Sequence, residues 1–250
     1  MASKKEQQKS KQDPDEFYSE ALKLAKESGI DFMLGGGFAV SHYTGIHRDT
    51  KDLDIFCRPA DSNNLLRFFS TKGYDTELTD VRWLAKIFRN NMYIDIIFDT
   101  PNYICTVDDN WFKYASKGTF QDKPVLYVPA EELIWCKIYV QNRERYDGAD
   151  VNHIMLRYGK KLDWKRLLQH FDKHWHLLLS QLLNFQFVYP ANYPDIVPQW
   201  LFEELLQRAG RQYNQPSSAI NVCRGPIIDQ TQYAVDIKEW DFKLYTMKTV

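Results

Sequence analysis

Several things are scarce in this chain, and each scarcity narrows its class. Four cysteines, Cys57, Cys105, Cys136 and Cys223, are scattered through 250 residues with no C-x-x-C pair. Neither a zinc site nor a disulfide framework is therefore expected. No apolar run approaches the roughly 20 residues that a membrane-spanning helix needs. The polar opening MASKKEQQKSKQDPDE has no signal-peptide pattern. A cytoplasmic location without membrane contact is the expectation. Basic residues are not in excess: 32 Lys and Arg face 33 Asp and Glu, for a net charge of -1. That balance disfavours a large nucleic acid as the only substrate, although a local basic patch remains open. There is no internal repeat and no low-complexity segment beyond the first residues.

What is present reads as an α+β chain. Residues 1–13 have the composition of a disordered polar tail. Residues 15–28 place Phe17, Ala21, Leu24 and Ala25 on one face of an amphipathic helix that Gly29 stops. IDFML reads as a short strand, FAVSHYTG as a short helix and TKDLDIFC as a strand. Residues 61–72 read as a helix with Asp61 or Ser62 as N-cap. WLAKIFRNNMYIDIIFD reads as a β-hairpin turning near Arg89-Asn90-Asn91. The mixed α and β character runs from residue 14 to about 128. From 129 to 250 the chain reads as mainly helical with an irregular tail, its first two helices broken near Tyr146–Gly148.

One stretch concentrates unusual residues: 33-MLGGGFAVSHYTGIHRDTKDLDIFC-57. Side chains alternate along a strand, so Asp52 and Asp54 point the same way while Leu53 and Ile55 face the core. Two carboxylates about 7 Å apart on one face repel each other unless a cation lies between them. Mg2+ (or Mn2+) is the natural choice for oxygen ligands that also serve phosphates. Asp95, set among Ile94, Ile96 and Ile97, costs stability unless something pairs with it. If its strand lies beside that of Asp52 and Asp54, three carboxylates converge on one or two metal ions. A glycine-rich turn opening a helix offers backbone N–H groups to an anion, which gives Gly36 and Gly37 a phosphate-binding reading. Arg48 and Thr50 are placed to brace the loop between the two sites.

The ordered motifs resemble those of the nucleotidyltransferase superfamily that includes DNA polymerase β. Within it they are most similar to the minimal bacterial enzymes related to type IV toxin–antitoxin and abortive-infection systems. The matching residues are Gly36-Gly37-Phe38-Ala39-Val40, then Arg48-Asp49-Thr50-Lys51-Asp52-Leu53-Asp54-Ile55, then Ile94-Asp95-Ile96. The toxin-like branch adds a helical Lys, an Arg and K-D-x-x-D. Here these correspond to Lys137, Arg143 and the run Tyr146-Asp147-Gly148-Ala149-Asp150, with Tyr146 replacing the Lys and Gly148 interrupting an expected helix start.

The resemblance implies a mixed-sheet nucleotidyltransferase catalytic domain over 14–128, followed by a mainly helical domain. It implies that Asp52, Asp54 and Asp95 hold Mg2+, and that Asp95 is a candidate general base. Gly36 and Gly37 would hold phosphates, Lys137 would neutralise the triphosphate, and Asp147 or Asp150 would orient Lys137 or the acceptor. The reaction would move a nucleoside monophosphate from an NTP to an acceptor hydroxyl with release of pyrophosphate. The acceptor stays open among a small molecule, a protein and an RNA end, and a cognate antitoxin-like partner is a further expectation. The competing reading is an inactive nucleotide- or partner-binding domain of the same fold. The intact acidic trio speaks against it, and Tyr146 keeps it open. His170, His174 and His176 invite a metal reading, but without H-E-x-x-H they read as a helix surface near a core. For His42 and His47 a structural role is at least as fitting as a place in the site.

Overall fold

The computed structural model describes residues 14–48, 50, 52–215 and 221–245. The tail expected over 1–13 lies outside the described residues. The first helix, α1 (Pro14–Glu27), carries Asp15 and Glu16 in its first turn, where acids complement the helix dipole, and buries Phe17, Tyr18, Ala21, Leu22 and Ala25. Gly29, with φ of 72°, turns the chain into β1 (Met33–Leu34). The helix α2 (Gly36–Thr44), the strand β2 (Leu53–Phe56) and the helix α3 (Pro59–Thr71) follow. Here the expected caps fail. α3 opens two residues earlier than Asp61, with Pro59 in its first turn, because the fixed φ of proline suits that position.

Three strands, β3 (Asp75–Asp80), β4 (Leu84–Arg89) and β5 (Met92–Ile97), come next, and the last two form the expected hairpin. Its turn puts Asn90 at φ of 59°, a conformation that asparagine tolerates better than most residues. A short helix α4 (Asp109–Tyr114) precedes a second hairpin, β6 (Ser116–Phe120) and β7 (Lys123–Tyr127). The seven strands form one sheet in the order β3-β4-β5-β2-β1-β7-β6. β2 runs parallel to β5 and β1 parallel to β7, while the remaining neighbours are antiparallel. The sheet is thus mixed, as expected. Its central apolar face is formed by Leu53, Ile55, Ala85, Ile87, Ile94 and Ile96, none of them solvent-exposed.

After the sheet the chain is mainly helical. α5 (Ala130–Ile138) and α6 (Gly148–Tyr158) flank the break expected near residue 147. Gly148 does not interrupt a helix start; it is the first residue of α6, with Asp147 at the cap position. Next come α7 (Trp164–Phe171), α8 (Trp175–Val188), the single turn α9 (Tyr193–Ile196) and α10 (Gln199–Tyr213). α5 contacts α2, α6, α7 and α8, which ties the helical region to the sheet's helices. Buried Glu131 and Glu132 in α5 both pair with Arg166 of α7, and His170 bonds Glu132 at 3.0 Å while stacking on Trp135. His170 therefore belongs to an inter-helix ionic cluster, not to a free helix surface. Among the described residues, no helix is long and apolar enough to cross a membrane.

The final segment contributes β8 (Val222–Cys223), α11 (Ala234–Lys238) and β9 (Lys243–Leu244), with β8 and β9 paired. Far from hanging free, it packs back on the body. Asn102 Nδ2 donates to the Ile227 carbonyl at 3.0 Å, and Asp229 accepts from the backbone N–H groups of Arg143, Thr231 and Gln232. His174 lies between the Tyr139 and Tyr245 hydroxyls, 2.6 and 3.3 Å away. The three histidines of the 170–176 stretch thus turn to different partners, His176 bonding Gln212.

Burial, followed by the charge of Arg224, pushes His174 down to about 4. The unfolded chain binds a proton there below its ordinary value of 6.5, while the folded chain refuses it. The stability that neutral His174 contributes is complete above 6.5 and drains away as pH falls toward 4. Urea unfolding of His174→Phe near neutral and near pH 5 should show a lower starting stability, but a smaller loss between the two pH values than wild type.

Candidate functional site

Three adjacent strands carry the site. In the parallel pair, Asp54 of β2 sits opposite Asp95 of β5; in the hairpin, Lys86 of β4 sits opposite the same Asp95. Strand alternation puts these three side chains on the face away from the isoleucines. Asp52 lies one residue ahead of β2. Each of Asp52, Asp54 and Asp95 offers a carboxylate oxygen, and these oxygens all lie within 4.8 Å of one another. The expected convergence of three acids is therefore present.

The electrostatics follow from that crowding. Burial, reinforced by Asp52 and Asp95, pushes Asp54 up to about 7, while Lys137 and Arg145 pull it the other way. Burial also raises Asp95, opposed by its hydrogen bond from Lys86. Lys86 Nζ lies 2.5 Å from Asp95 Oδ1 and 4.1 Å from the centre of the Tyr93 ring. This lysine answers the question posed by an acid among isoleucines, and the sequence reading had missed it. Three hard oxygen donors of like charge at this spacing are the donor set that Mg2+ or Mn2+ takes. The residues present fit such an ion.

The glycine run stands directly against the acids. The Gly35 N–H donates to the Asp54 carbonyl at 2.9 Å and so pins the entry of α2 to β2. Gly36 has φ of 50°, and a Cβ there would overlap Asp54 Oδ2; a Cβ on Gly37 would overlap the Thr50 methyl. The glycines are thus required by the close approach of helix and carboxylate, beyond any contact with phosphate. α2 has no side-chain cap, and the first N–H groups of a helix lack an intrahelical acceptor. That end of α2 is therefore suited to an anion beside the acids.

On the helical side, buried Lys137 bonds Asp147 Oδ2 at 2.7 Å and Asp150 Oδ2 at 2.9 Å. Arg145 grips both Asp147 oxygens at 2.8 Å, a two-pronged geometry that guanidinium favours. Burial alone would raise Asp147, but Arg145 and Lys137 outweigh it and hold it below the usual carboxylate range. Arg48 reaches Asp150 Oδ1 at 2.6 Å. Arg48 thus braces α6, whereas Thr50 packs on the glycine turn. Arg48, Lys137, Arg145, Asp147 and Asp150 form one chain of contacts beside the triad. The Tyr146 ring lies exposed over Gly148, where a Cβ would strike it, so the two departures from the expected motif are sterically matched. His42 stacks on Tyr127 and bonds Ser116, and His47 bonds Ser41. Both contacts are structural.

Gly36→Ala places a methyl group on Asp54 at a φ that L residues avoid. It should lower stability by about 1 kcal/mol or more and weaken Mn2+ binding, as read by thermal unfolding and by calorimetry. A variant that keeps wild-type affinity for Mn2+ would contradict the close packing of Gly36 on Asp54.

The family model for aminoglycoside-2''-adenylyltransferases matches residues 19–132, just under half of the chain. No curated protein matches. Similar solved structures include the antibiotic-resistance factor ANT(2'')-Ia in solution, at 15% identity and a TM-score of 0.49, covering 66% of this chain and 94% of that one. Another is the lincosamide antibiotic adenylyltransferase LnuA with lincomycin bound, at 18% identity and a TM-score of 0.41, covering 56% and 94%. The matched segment contains β1 to β7, the glycine turn and all three acids. The similarity to this adenylyltransferase family model thus lies in the part of the chain that holds the glycine turn and the three acids.

Proposed function

We propose that the chain transfers a nucleoside monophosphate from an NTP to the hydroxyl of a small-molecule acceptor, using a divalent metal held by Asp52, Asp54 and Asp95. The convergence of these three carboxylates beside the glycine-started helix α2 carries the reading. Bound there, Mg2+ would supply positive charge for the triphosphate and polarise its oxygens. The start of α2 at Gly36 and Gly37 would receive phosphate oxygens through backbone N–H groups. Lys137, already held by Asp147 and Asp150, would add charge on the helical side of the site.

In the reaction, the acceptor oxygen attacks the α-phosphorus and the bond to the bridging oxygen breaks. Pyrophosphate carries away the electron pair. The acceptor proton passes to a carboxylate, for which Asp95 is the candidate, or to water. Positioning and charge placement would supply most of the acceleration. The match to an adenylyltransferase family model favours ATP as donor and a small polyhydroxyl acceptor. The reading needs no antitoxin-like partner. The contacts of Lys137 with Asp147 and Asp150 support an intact site despite Tyr146. Domain limits near residue 128 and a cytoplasmic location fit this reading and are proposed with it.

Calorimetry with each NTP, with and without Mg2+, tests the proposal. Wild type should bind ATP only with the metal, and Asp52→Ala/Asp54→Ala should lose that binding. Asp54→Asn should melt no lower than wild type, because it removes one of three mutually repelling charges. Pyrophosphate release with an aminoglycoside or lincosamide acceptor should fall about a thousandfold or more in the same variant. Wild type that binds no NTP under any condition would refute the reading.

A further inference from the structure

The acids of the site are not bare. Among the described residues, the ion pair that the triad makes is the one between Lys86 and Asp95. The other cations close by are spent elsewhere: Lys137 on Asp147 and Asp150, Arg145 on Asp147, and Arg48 on Asp150. Lys86 arrives from β4, directly across from Asp95, while Asp54 arrives from β2 on the other side. The order across the sheet is therefore ammonium, carboxylate, carboxylate. The Lys86 side chain is 22% exposed and that of Asp95 14%, so water screens the pair only in part. The Tyr93 ring supports the ammonium from the same strand as Asp95.

From this arrangement we infer that Lys86 is the built-in counter-ion of the metal site. It neutralises one of the three carboxylates when no metal is present, and it weakens the hold of the protein on a free divalent ion. The inference rests on the proposed metal role of the triad and adds a residue to it. Two kinds of cation claim Asp95: a tethered ammonium, always at hand, and a metal that must come from solution. A divalent ion sharing Asp95 would meet the positive charge of Lys86 a few ångströms away, and that repulsion opposes entry. An NTP changes the balance, because its triphosphate brings further oxygen ligands and several negative charges of its own. The metal would thus load with the nucleotide in preference to binding alone. Lys86 is a positioning residue in this scheme: it acts through Asp95 and touches no reacting atom.

The alternative role for Lys86 is a prop. A lysine that only satisfied a half-buried acid would hold Asp95 in place and so aid metal binding. The two roles predict opposite effects of removing the charge. In the counter-ion role Lys86→Met, which keeps the length of the side chain, tightens binding of free Mn2+. In the prop role it weakens binding or leaves it unchanged.

The experiment is titration of the full chain with Mn2+, reading free ion by electron paramagnetic resonance, with and without ATP. The proteins are wild type, Lys86→Met, Lys86→Arg, Asp95→Asn and Asp95→Asn/Lys86→Met. Without ATP, Lys86→Met should bind Mn2+ on the order of tenfold more tightly than wild type. That gain should shrink when ATP is present. Lys86→Arg keeps the charge and should stay close to wild type, which separates charge from any loss of folding. The effect of Lys86→Met should be smaller in the Asp95→Asn background, because the pair is already broken there. Equal or weaker Mn2+ binding by Lys86→Met, with Lys86→Arg folded and unchanged, would overturn the counter-ion role and leave the metal site standing. If wild type binds no Mn2+ even with ATP, the metal site itself falls, and this inference with it.

Discussion

The parallel pairing of β2 with β5 is the constraint on which the site depends, because it sets Asp54 beside Asp95. Like charges at that range repel, and nothing on the polar face would hold the strands together unaided. The opposite face supplies the attraction. Leu53, Ile55, Ile94 and Ile96 are fully buried there, and each large aliphatic side chain contributes roughly 1.5–3 kcal/mol when removed from water. The register that hides these residues is the register that crowds the acids. A one-residue slip would bury the aspartates and expose the isoleucines, so the fold cannot relieve the repulsion by sliding.

The helical region acts on the site through α5. That helix carries Lys137 at one end and Glu131–Glu132 at the other. Arg166 and His170 of α7 fasten the acidic end, while Asp147 and Asp150 fasten the lysine. Buried ion pairs of this kind add little net stability, but an unpaired partner is costly, so they fix geometry. The cation that faces the acids is thereby placed by contacts that run the length of the helix. The glycines do the corresponding work on the other side, where Gly36 lets α2 close onto Asp54.

Much of the site could be read from local pattern. The alternation in TKDLDIFC and in the strand holding Asp95 showed which faces the acids take, and the Asn90-Asn91 turn gave the hairpin. Lys86 was legible too, although it was missed. Counting back from that turn pairs Arg89 with Met92, Phe88 with Tyr93, Ile87 with Ile94 and Lys86 with Asp95. Other features carried no local signal. Arg48 meets Asp150 across 102 residues, and His174 meets Tyr245 across 71. No periodicity within either segment announces such a contact. The start of α3 differs from the expected one for a smaller reason: proline in the first turn competes with the acidic cap signal two residues on, and proline prevails.

The sequence by itself determined the chemistry available: three aspartates on strands or at a strand's edge, a glycine run before a helix, and cations in the residues that follow. These follow from strand and helix periodicity, which act over a few residues and need no partner. Only the tertiary structure decided which charges meet. It put β5 between β2 and β4, so that Asp95 has an acid on one side and Lys86 on the other. It also folded α6 back so that Asp150 meets both Arg48 and Lys137. Strand order and helix docking are set by burial of apolar faces contributed from distant parts of the chain. Such pairings belong to the whole fold, and no short window of sequence contains them.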